Sequence, residues 1–592
     1  MSPLEYAWGV AYHLTKVKNT DELLRAYEEN QPIVVTIMNK MSQSRPLFNA
    51  ISTIDEQWKK DRTNSTNDFY MSQKVRAIAN KVLSMKFGGF GLDGEAKDRF
   101  NKIELRLSEI SLSFRNNILH STNAFHLDIE NAEDVANVPS SAKALWANNY
   151  AIAVCTLENK VQVVADPENG PWRITLDGPS YNEAMSQMPN RKIRETVYRA
   201  SHTRASEFAE NDGGSDKNNV PYIYEMLGLK KERGRMLGFN STAEMSIVTK
   251  MASSVESVID FLEMILEKAL PAALREFEEI TLFARSNGGD KYSQENLEGL
   301  MPWDISFWSQ RLKERKFNLK GEELRPFLPF PSVLDGMFGL VERIFNIEVK
   351  EADGEVDVWD KDVSFFNVFG KDSQKHIGSF YLDPYSRPAE KRGGAWMNVC
   401  IDKSEAVDRD IPVAYLNCNG SPPIGDTPSL MTFREVETLF HEFGHGLQHM
   451  LTSATVGDVA GLNGIPRDAR EFASQFMENW IYDKNTLRGF AKHHKTDQPL
   501  PESMVDKLIE RKTYGAGMMI CRQILLSLLD MELHYDFDPE FAKNGGPTVF
   551  DVHRSKAKQC TPYTTLIEND RSLCTFRHIF GGSYSAGYFS YR

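Results

Sequence analysis

Cysteine is scarce. Six occur in 592 residues, at positions 155, 400, 418, 521, 560 and 574, and none forms a C-x-x-C pair. That count excludes a disulfide framework and fits a reducing compartment. Positive charge is also in deficit, since 69 Lys and Arg against 82 Asp and Glu leave a net charge of −13. An acidic balance argues against nucleic acid or an anionic membrane as partner, because either requires a basic face. No apolar run is long enough to span a bilayer. The opening "MSPLEYAWGVAYHLTKVKNT" lacks a basic region followed by an apolar one, so it does not read as a secretion signal. Internal repeats and low-complexity tracts are missing as well.

What is present is an ordinary globular composition on a chain too long for one core, so two or more lobes are expected. Residues 1 to about 165 read as a helical N-terminal region, with apolar residues at three- and four-residue spacings in "KVRAIANKVLSMKF" and "DRFNKIELRLSEISLSFRNNIL". A polar break at 164–172, "VADPENGPW", separates it from a second region, 166–592. There, "NDGGSDKNN" (211–219) and "RSNGGD" (285–290) read as loops between helices. The stretch 345–420 alternates and carries turn residues, predicting a small β-sheet, and helix resumes after 430. Gly89 to Gly94 match G-x-G-x-x-G, but "NKVLSMKF" before them reads as helix, not strand. A glycine-rich turn between helices is therefore expected, not a dinucleotide site.

The chemistry concentrates in "TLFHEFGHGLQHML", 438–451. Thr432-x-x-Glu435 is a capping-box start, so a helix is expected from about 433 to about 452. His441 and His445 are then separated by ~6 Å of rise and ~40° of rotation, and both rings leave one face. They can meet on one ion, and Glu442 beside them suits a carboxylate that takes a proton from an activated water. This H-E-x-x-H pattern predicts one Zn2+ per chain and demands a third ligand. His449 lies ~12 Å of rise from His441 and fails on geometry. "IPRDAREFASQFMENW" (465–480) offers a second helix with Phe472, Phe476 and Trp480 as its packed face. An antiparallel return places Glu471, in its first turn, opposite the two histidines. Glu478 is the competing carboxylate, better suited to a supporting hydrogen bond. Two histidines and a glutamate leave one coordination position open, as catalytic zinc sites do.

"LFHEFGHGLQHML" with "NGIPRDAREFASQFMENW" resembles the thimet oligopeptidase family of zinc metallopeptidases, in its oligopeptidase A-like branch. "FYLDPYSRPAEKRGGAWMN", "VAYLNCNGSPPIGDTPSLMTFREVETLF", "TLDGPSYNEAM", "HIFGGSYSAGYFSY" and the opening segment carry the likeness along nearly the whole chain. The resemblance implies a mainly α, two-lobed helical fold with a deep central channel and a small β-sheet near the zinc. It implies endopeptidase cleavage of short unstructured oligopeptides, with clearance of degradation intermediates or of signal and transit peptides. It also implies that Tyr588 and Tyr591 donate to the transition state, that His578 and Tyr584 contact substrate, and that Gly581 and Gly582 form a mobile closing loop. The three tyrosines sit four and three apart, so one helix would stack them; on spacing alone they read as core packing. A strand edge near "GGAWMNV" would pair with the substrate backbone. A monomer in the cytoplasm is the implied state, or the mitochondrial or plastid matrix if a transit peptide is missing.

Four departures stand out from the family pattern. Ser583 occupies a usual glycine position and restricts the backbone there. Gln448 replaces a frequent histidine, with little effect expected. Arg470 sets a cation beside Glu471, to weaken the metal's hold or to pair with Glu442 or Glu471. The chain stops one residue after Tyr591, where the family continues with further helices. That last departure motivates an alternative: a truncated relative that binds zinc and peptides without cutting. A zinc carboxypeptidase on a related fold is a third reading.

Overall fold

Local signals set up the N-terminal helices. The computed structural model describes residues 2–61, 69–158, 163–209, 217–288, 299–562 and 567–591. Helices Ser2–Val17, Asp21–Ser42, Arg45–Asp61, Phe69–Phe87 and Gly94–Ala124 follow one another. Thr20 starts the second by accepting from the Leu23 backbone N–H through its hydroxyl. The G-x-G-x-x-G stretch is the turn between the last two. Gly89 adopts φ +84°, and a Cβ there would lie 2.9 Å from the Phe100 ring. Only glycine fits both demands. Helix Gly94–Ala124 then buries Phe100, Ile103, Leu107, Ile110, Phe114 and Ile118, the face its spacing predicts.

Strand β1 (His126–Ile129) pairs antiparallel with β2 (Trp172–Thr175). The pair joins residues on either side of the break read near 165. Trp146 on one side and Trp172, Ile174 and Met188 on the other share one buried cluster. Further on, helix Val255–Asn287 packs along Ala516–Tyr535 through Val258, Leu262 and Leu266 against Cys521, Ile524 and Leu528. This corrects the loop reading of 285–290. Arg285 to Asn287 complete the helix, because Ser286 and Asn287 side chains bond back to the Leu282 and Phe283 carbonyls at 2.9 and 2.8 Å. Residues 289–290, and 211–216 of the other expected loop, lie outside the described residues.

The expected β-sheet is present with five strands: β3 (Ile347–Glu351), β4 (Ser364–Gly370), β5 (His376–Tyr385), β6 (Trp396–Ile401) and β7 (Val413–Gly420). Their order is β3-β4-β5-β7-β6, with β5 and β7 parallel and the other pairs antiparallel. The crossover inserts β7 between β5 and β6 and leaves β6 at the edge. Helix Phe433–Met450 lies on this sheet. Its Val436, Leu439, Phe440, Phe443, Leu447 and Met450 join Phe380 of β5 and Leu416 of β7 in the largest core. Burying each of the larger side chains contributes about 1.5–3 kcal/mol, which fixes the helix's opposite face against the cleft. No helix among the described residues is long and apolar enough to cross a membrane.

Candidate metal centre and active site

The histidine helix begins as its sequence dictates. Thr432 accepts from Glu435 N at 3.1 Å, and Glu435 accepts from Thr432 N at 2.6 Å, closing the capping box. The helix ends at Met450, and its apolar face is the core face just described. His441 and His445 project from the other side. Their Nε2 atoms lie 3.3 and 3.2 Å from one atom, Glu471 Oε2. The donors of all three residues fall within 4.8 Å of one another. Ligands held at ~2.0–2.1 Å in tetrahedral directions around one ion sit about 3.3 Å apart, so this donor set fits a small divalent cation.

Glu471 arrives by a route the sequence concealed. It is not in the first turn of its helix but at the residue before it, with the helix running Phe472–Glu478. Of the packed face expected, Trp480 does pack against the main core, but the two phenylalanines do not. Phe472 and Phe476 are 76% and 43% exposed, whereas Ser474 and Met477 are buried. The reason is backbone contact. A Cβ on Gly444 would lie 2.6 Å from the Ala473 carbonyl oxygen and 2.7 Å from Ser474 Cα. The two helices touch at glycine against a small residue, and the large aromatics are turned outward. Glu478 takes the supporting position, accepting from His441 Nδ1 at 2.5 Å. That bond leaves Nε2 directed at the site. His449 bonds to the Ile401 carbonyl at 3.0 Å and stands apart from the cluster, as its spacing requires.

Glu442 is 5% exposed. Burial pushes its carboxyl up to about 7 against the lowering influence of His441 and His445, and the backbone N–H of Met397 in β6 bonds to it. Of the two roles expected of Arg470, the pairing is absent, since it pairs with neither Glu442 nor Glu471, and its Nε is buried without a hydrogen-bond partner.

The tyrosines do not share a helix. Tyr584 follows a bend at Gly582 and Ser583 and lies outside regular structure, residues 585–587 turn, and only Tyr588–Tyr591 is helical, as a 3-10 turn. Ala586 at φ +48° breaks any longer helix. The rings converge nonetheless. Tyr591 lies 5.3 Å from Tyr584 and 5.1 Å from Tyr588, and His578 lies 5.2 Å from Tyr588. Tyr584 Oη donates to Glu471 Oε1 at 3.0 Å, and Ser474 Oγ donates to Oε2 at 3.2 Å. Burial and the Glu471 charge raise Tyr584 to about 12, so its phenol keeps its proton. His578 is exposed at its surface, and loss of hydration among its neighbours, then the charges of Arg577 and Arg392, shift its ring below the usual histidine value. Gly581 closes helix Arg577–Phe580 by donating to the Arg577 carbonyl at 2.8 Å, with Gly582 and Ser583 exposed after it.

The family described as Peptidase family M3 matches residues 184–592, and the Neurolysin/Thimet oligopeptidase N-terminal domain matches residues 1–97. The chain belongs to peptidase family M3. It is 40% identical to the organellar oligopeptidase A (chloroplastic/mitochondrial) of Arabidopsis thaliana, over 100% of this chain and 71% of that protein. It is 39% identical to oligopeptidase A of Haemophilus influenzae, over 99% of this chain and 81% of that one. A crystal structure assigned as an oligoendopeptidase F has the same fold at TM-score 0.50 and 13% identity, covering 99% of this chain and 79% of that chain. This M3 chain is thus a metallopeptidase, mainly α, and His441, His445 and Glu471 form a group that could hold a metal ion.

Sequence reasoning missed the groups that hold the tyrosine segment of this M3 peptidase. The carboxylate of buried Asp530 accepts the backbone N–H groups of Ala586, Gly587 and Tyr588 at 2.8, 2.8 and 2.9 Å. Lys230 donates to the Ile579 carbonyl and to Ser585 Oγ at 3.0 and 2.7 Å. The available signal was an aspartate inside the apolar run "LLSLLDMEL", 525–533. A cleft of about 840 Å³ runs beside the N-terminal turn of the histidine helix, reaching Ala395 before β6 and Thr438, one turn before His441.

Proposed function

We propose that this M3 chain is a zinc endopeptidase that cleaves short unstructured oligopeptides internally. The observation that carries it is the convergence of His441 Nε2, His445 Nε2 and Glu471 Oε2 beside the buried carboxyl of Glu442. Two histidines and one glutamate are the donor set that zinc takes with a position left open. When bound, the ion supplies polarisation of the scissile carbonyl and acidification of a water. Glu442, buried beside the donors, would accept a proton from a water held there. Its raised pKa, close to neutrality, suits a group that must both accept a proton and return it to the leaving amine. Tyr588 and Tyr591 supply neutral donors to the developing oxyanion. Tyr584, fixed on Glu471, and His578 contact the peptide, and Gly581 and Gly582 shape the loop between them. The edge strand β6 holds the substrate extended by main-chain pairing, which is nearly blind to side chains. The relatives named oligopeptidase A support the substrate class, and the sparse cysteines support a reducing compartment, the cytoplasm or an organelle matrix. The enzyme acts as a monomer.

The test is cleavage of a short internally quenched peptide, with fragments identified by mass and metal measured on the same sample. Internal cleavage with about one zinc per chain is expected. Sequential loss of single C-terminal residues would favour the carboxypeptidase reading. Bound zinc without cleavage would favour a peptide-binding relative that does not cut.

Metal uptake is expected to release a proton. Burial would lower His441, but the carboxylates of Glu471 and Glu478 outweigh it and raise this histidine to about 10. With only these partners it is charged at pH 7, whereas a metal needs the neutral ring. Apparent zinc affinity should therefore rise as pH rises from 7 towards 10 and flatten above. Calorimetric titrations in buffers of different ionisation enthalpy should give about one proton released at pH 7. A pH-independent affinity across that window would refute the assignment.

A further inference from the structure

One electrostatic feature beside the site is not used by the chemistry above. Lys16, Arg115, Arg392 and Arg577 come from four separate segments and meet next to the start of β6. Arg577 Nη2 donates to the Gly393 carbonyl at 2.8 Å, and Arg115 Nη1 donates to the Gly581 carbonyl at 2.8 Å. The Arg392 backbone N–H donates to the Lys16 carbonyl at 2.8 Å. Lys16 Nζ and Arg115 Cζ lie 3.8 and 5.4 Å from the Tyr12 ring centre, and Arg392 Cζ lies 4.5 Å from that of Trp396.

Among the described residues, none of the four forms an ion pair with a carboxylate. The charges that Arg577 faces are arginines only: Arg392, Arg204 and Arg115. Arg392 faces Tyr12 and Arg115. Lys16 is 7% exposed, and Arg392 Nε is buried without a hydrogen-bond partner. Buried cations normally carry a counter-charge, because an unpaired one is costly. Against its burial, the charges of Arg115, Lys16 and Arg392 bring the Tyr12 phenol down to about 7, and burial brings Lys16 down to about 7, so this pair offsets itself and the three arginines keep no carboxylate counter-charge among the described residues. The arrangement is that of a receptor awaiting an anion.

Its position says which anion. Gly393 leads into β6, and Met397, four residues on, bonds to Glu442. The chain bends at 393–394, with Gly394 at φ +89°, before β6 begins. Four residues reach at most ~13 Å, so a peptide lying along β6 would bring a group within about four residues of the cleaved bond to the cations. We propose that Lys16, Arg115, Arg392 and Arg577 form a carboxylate-binding subsite. It selects peptides carrying an acidic group, a side chain or the terminal α-carboxylate, at a fixed distance from the scissile bond. The inference rests on the peptidase reading for the direction of the peptide along β6.

Binding and cleavage separate the two. Fluorescence polarisation on the Glu442→Gln protein would compare three labelled peptides of one neutral sequence: unmodified, C-terminally amidated, and amidated with one Glu at scanned positions. One Glu position, or the free terminus, should bind about tenfold or more tightly than the amidated neutral peptide, as a charge-assisted hydrogen bond implies. The preference should shrink with added salt. The ratio should fall towards one in Arg115→Gln/Arg577→Gln and recover partly in Arg577→Lys, which returns the charge without the fork. Loss on amidation identifies the α-carboxylate; a preference seen only with Glu identifies a side chain. A ratio near one in the parent, or one unchanged in the double variant, overturns the subsite. Failure of the wild type to cut any of the three peptides would overturn the peptidase reading and leave the binding ratio to decide the subsite.

Discussion

Replacing Glu442 by glutamine should lower kcat by about two to four orders of magnitude while zinc content stays the same. The residue is not among the three convergent donors, so its removal leaves the ion's ligands intact. It is buried, bonded to Met397 N–H and raised to about 7, the profile of a group that carries a proton. Glutamine keeps the size and can still accept from Met397, but it can take no proton from water. KM should change little, because the carboxyl contributes to a step and not to holding the peptide. Metal analysis and steady-state kinetics on the two proteins check this. A variant that retained more than a tenth of the rate would remove Glu442 from the base role, whereas one that lost its zinc would recast it as a ligand.

Asp530→Ala should be the most damaging change outside the metal centre. It orphans three buried N–H groups at Ala586, Gly587 and Tyr588. At about 1–3 kcal/mol each, the loss is roughly 3–6 kcal/mol if the segment partly relaxes. The segment that places Tyr584, Tyr588 and Tyr591 should come away from its helix. Activity should fall about a hundredfold or more, the scale of losing an oxyanion donor, while His441 and His445 still bind zinc. Asparagine should rescue little. Oδ2 accepts from two of the three groups and Oδ1 from the third, and His534 Nδ1 lies 2.9 Å from Oδ1. An amide nitrogen on either side would face a donor. Thermal denaturation, metal content and peptide cleavage on both variants would decide it; full activity in Asp530→Ala would show that the segment holds itself.

Most of the candidate metal centre was legible because its signals are local. A capping box, an apolar stripe and two histidines four apart lie within twenty residues, and each follows from helix geometry. Glu471 was legible as a residue type at a suitable distance but not as a position. Periodicity assigned Phe472 and Phe476 to the core, whereas Gly444 against Ser474 decides the contact and needs small residues there, not large ones. The tyrosines failed differently. A four-and-three spacing suggests one helix, but Ala586 takes a left-handed conformation held by Asp530, which is 56 residues away in sequence. Sheet order was equally hidden, since nothing in β5, β6 or β7 by itself says that the last strand enters between the first two.

The two oxygens of Glu471 do different work: one faces the histidines, the other receives the Tyr584 phenol. The carboxylate is therefore a hinge of information between the ion and the chain's last described segment. Whatever draws Tyr584 away changes how firmly Glu471 holds a cation, and by reciprocity the cation changes how firmly Tyr584 is held, by the same factor. A peptide that reorganises the tyrosines on entry would retune the electrophile it is about to meet. Metal loading and closure over the substrate are, on this geometry, two readings of one equilibrium.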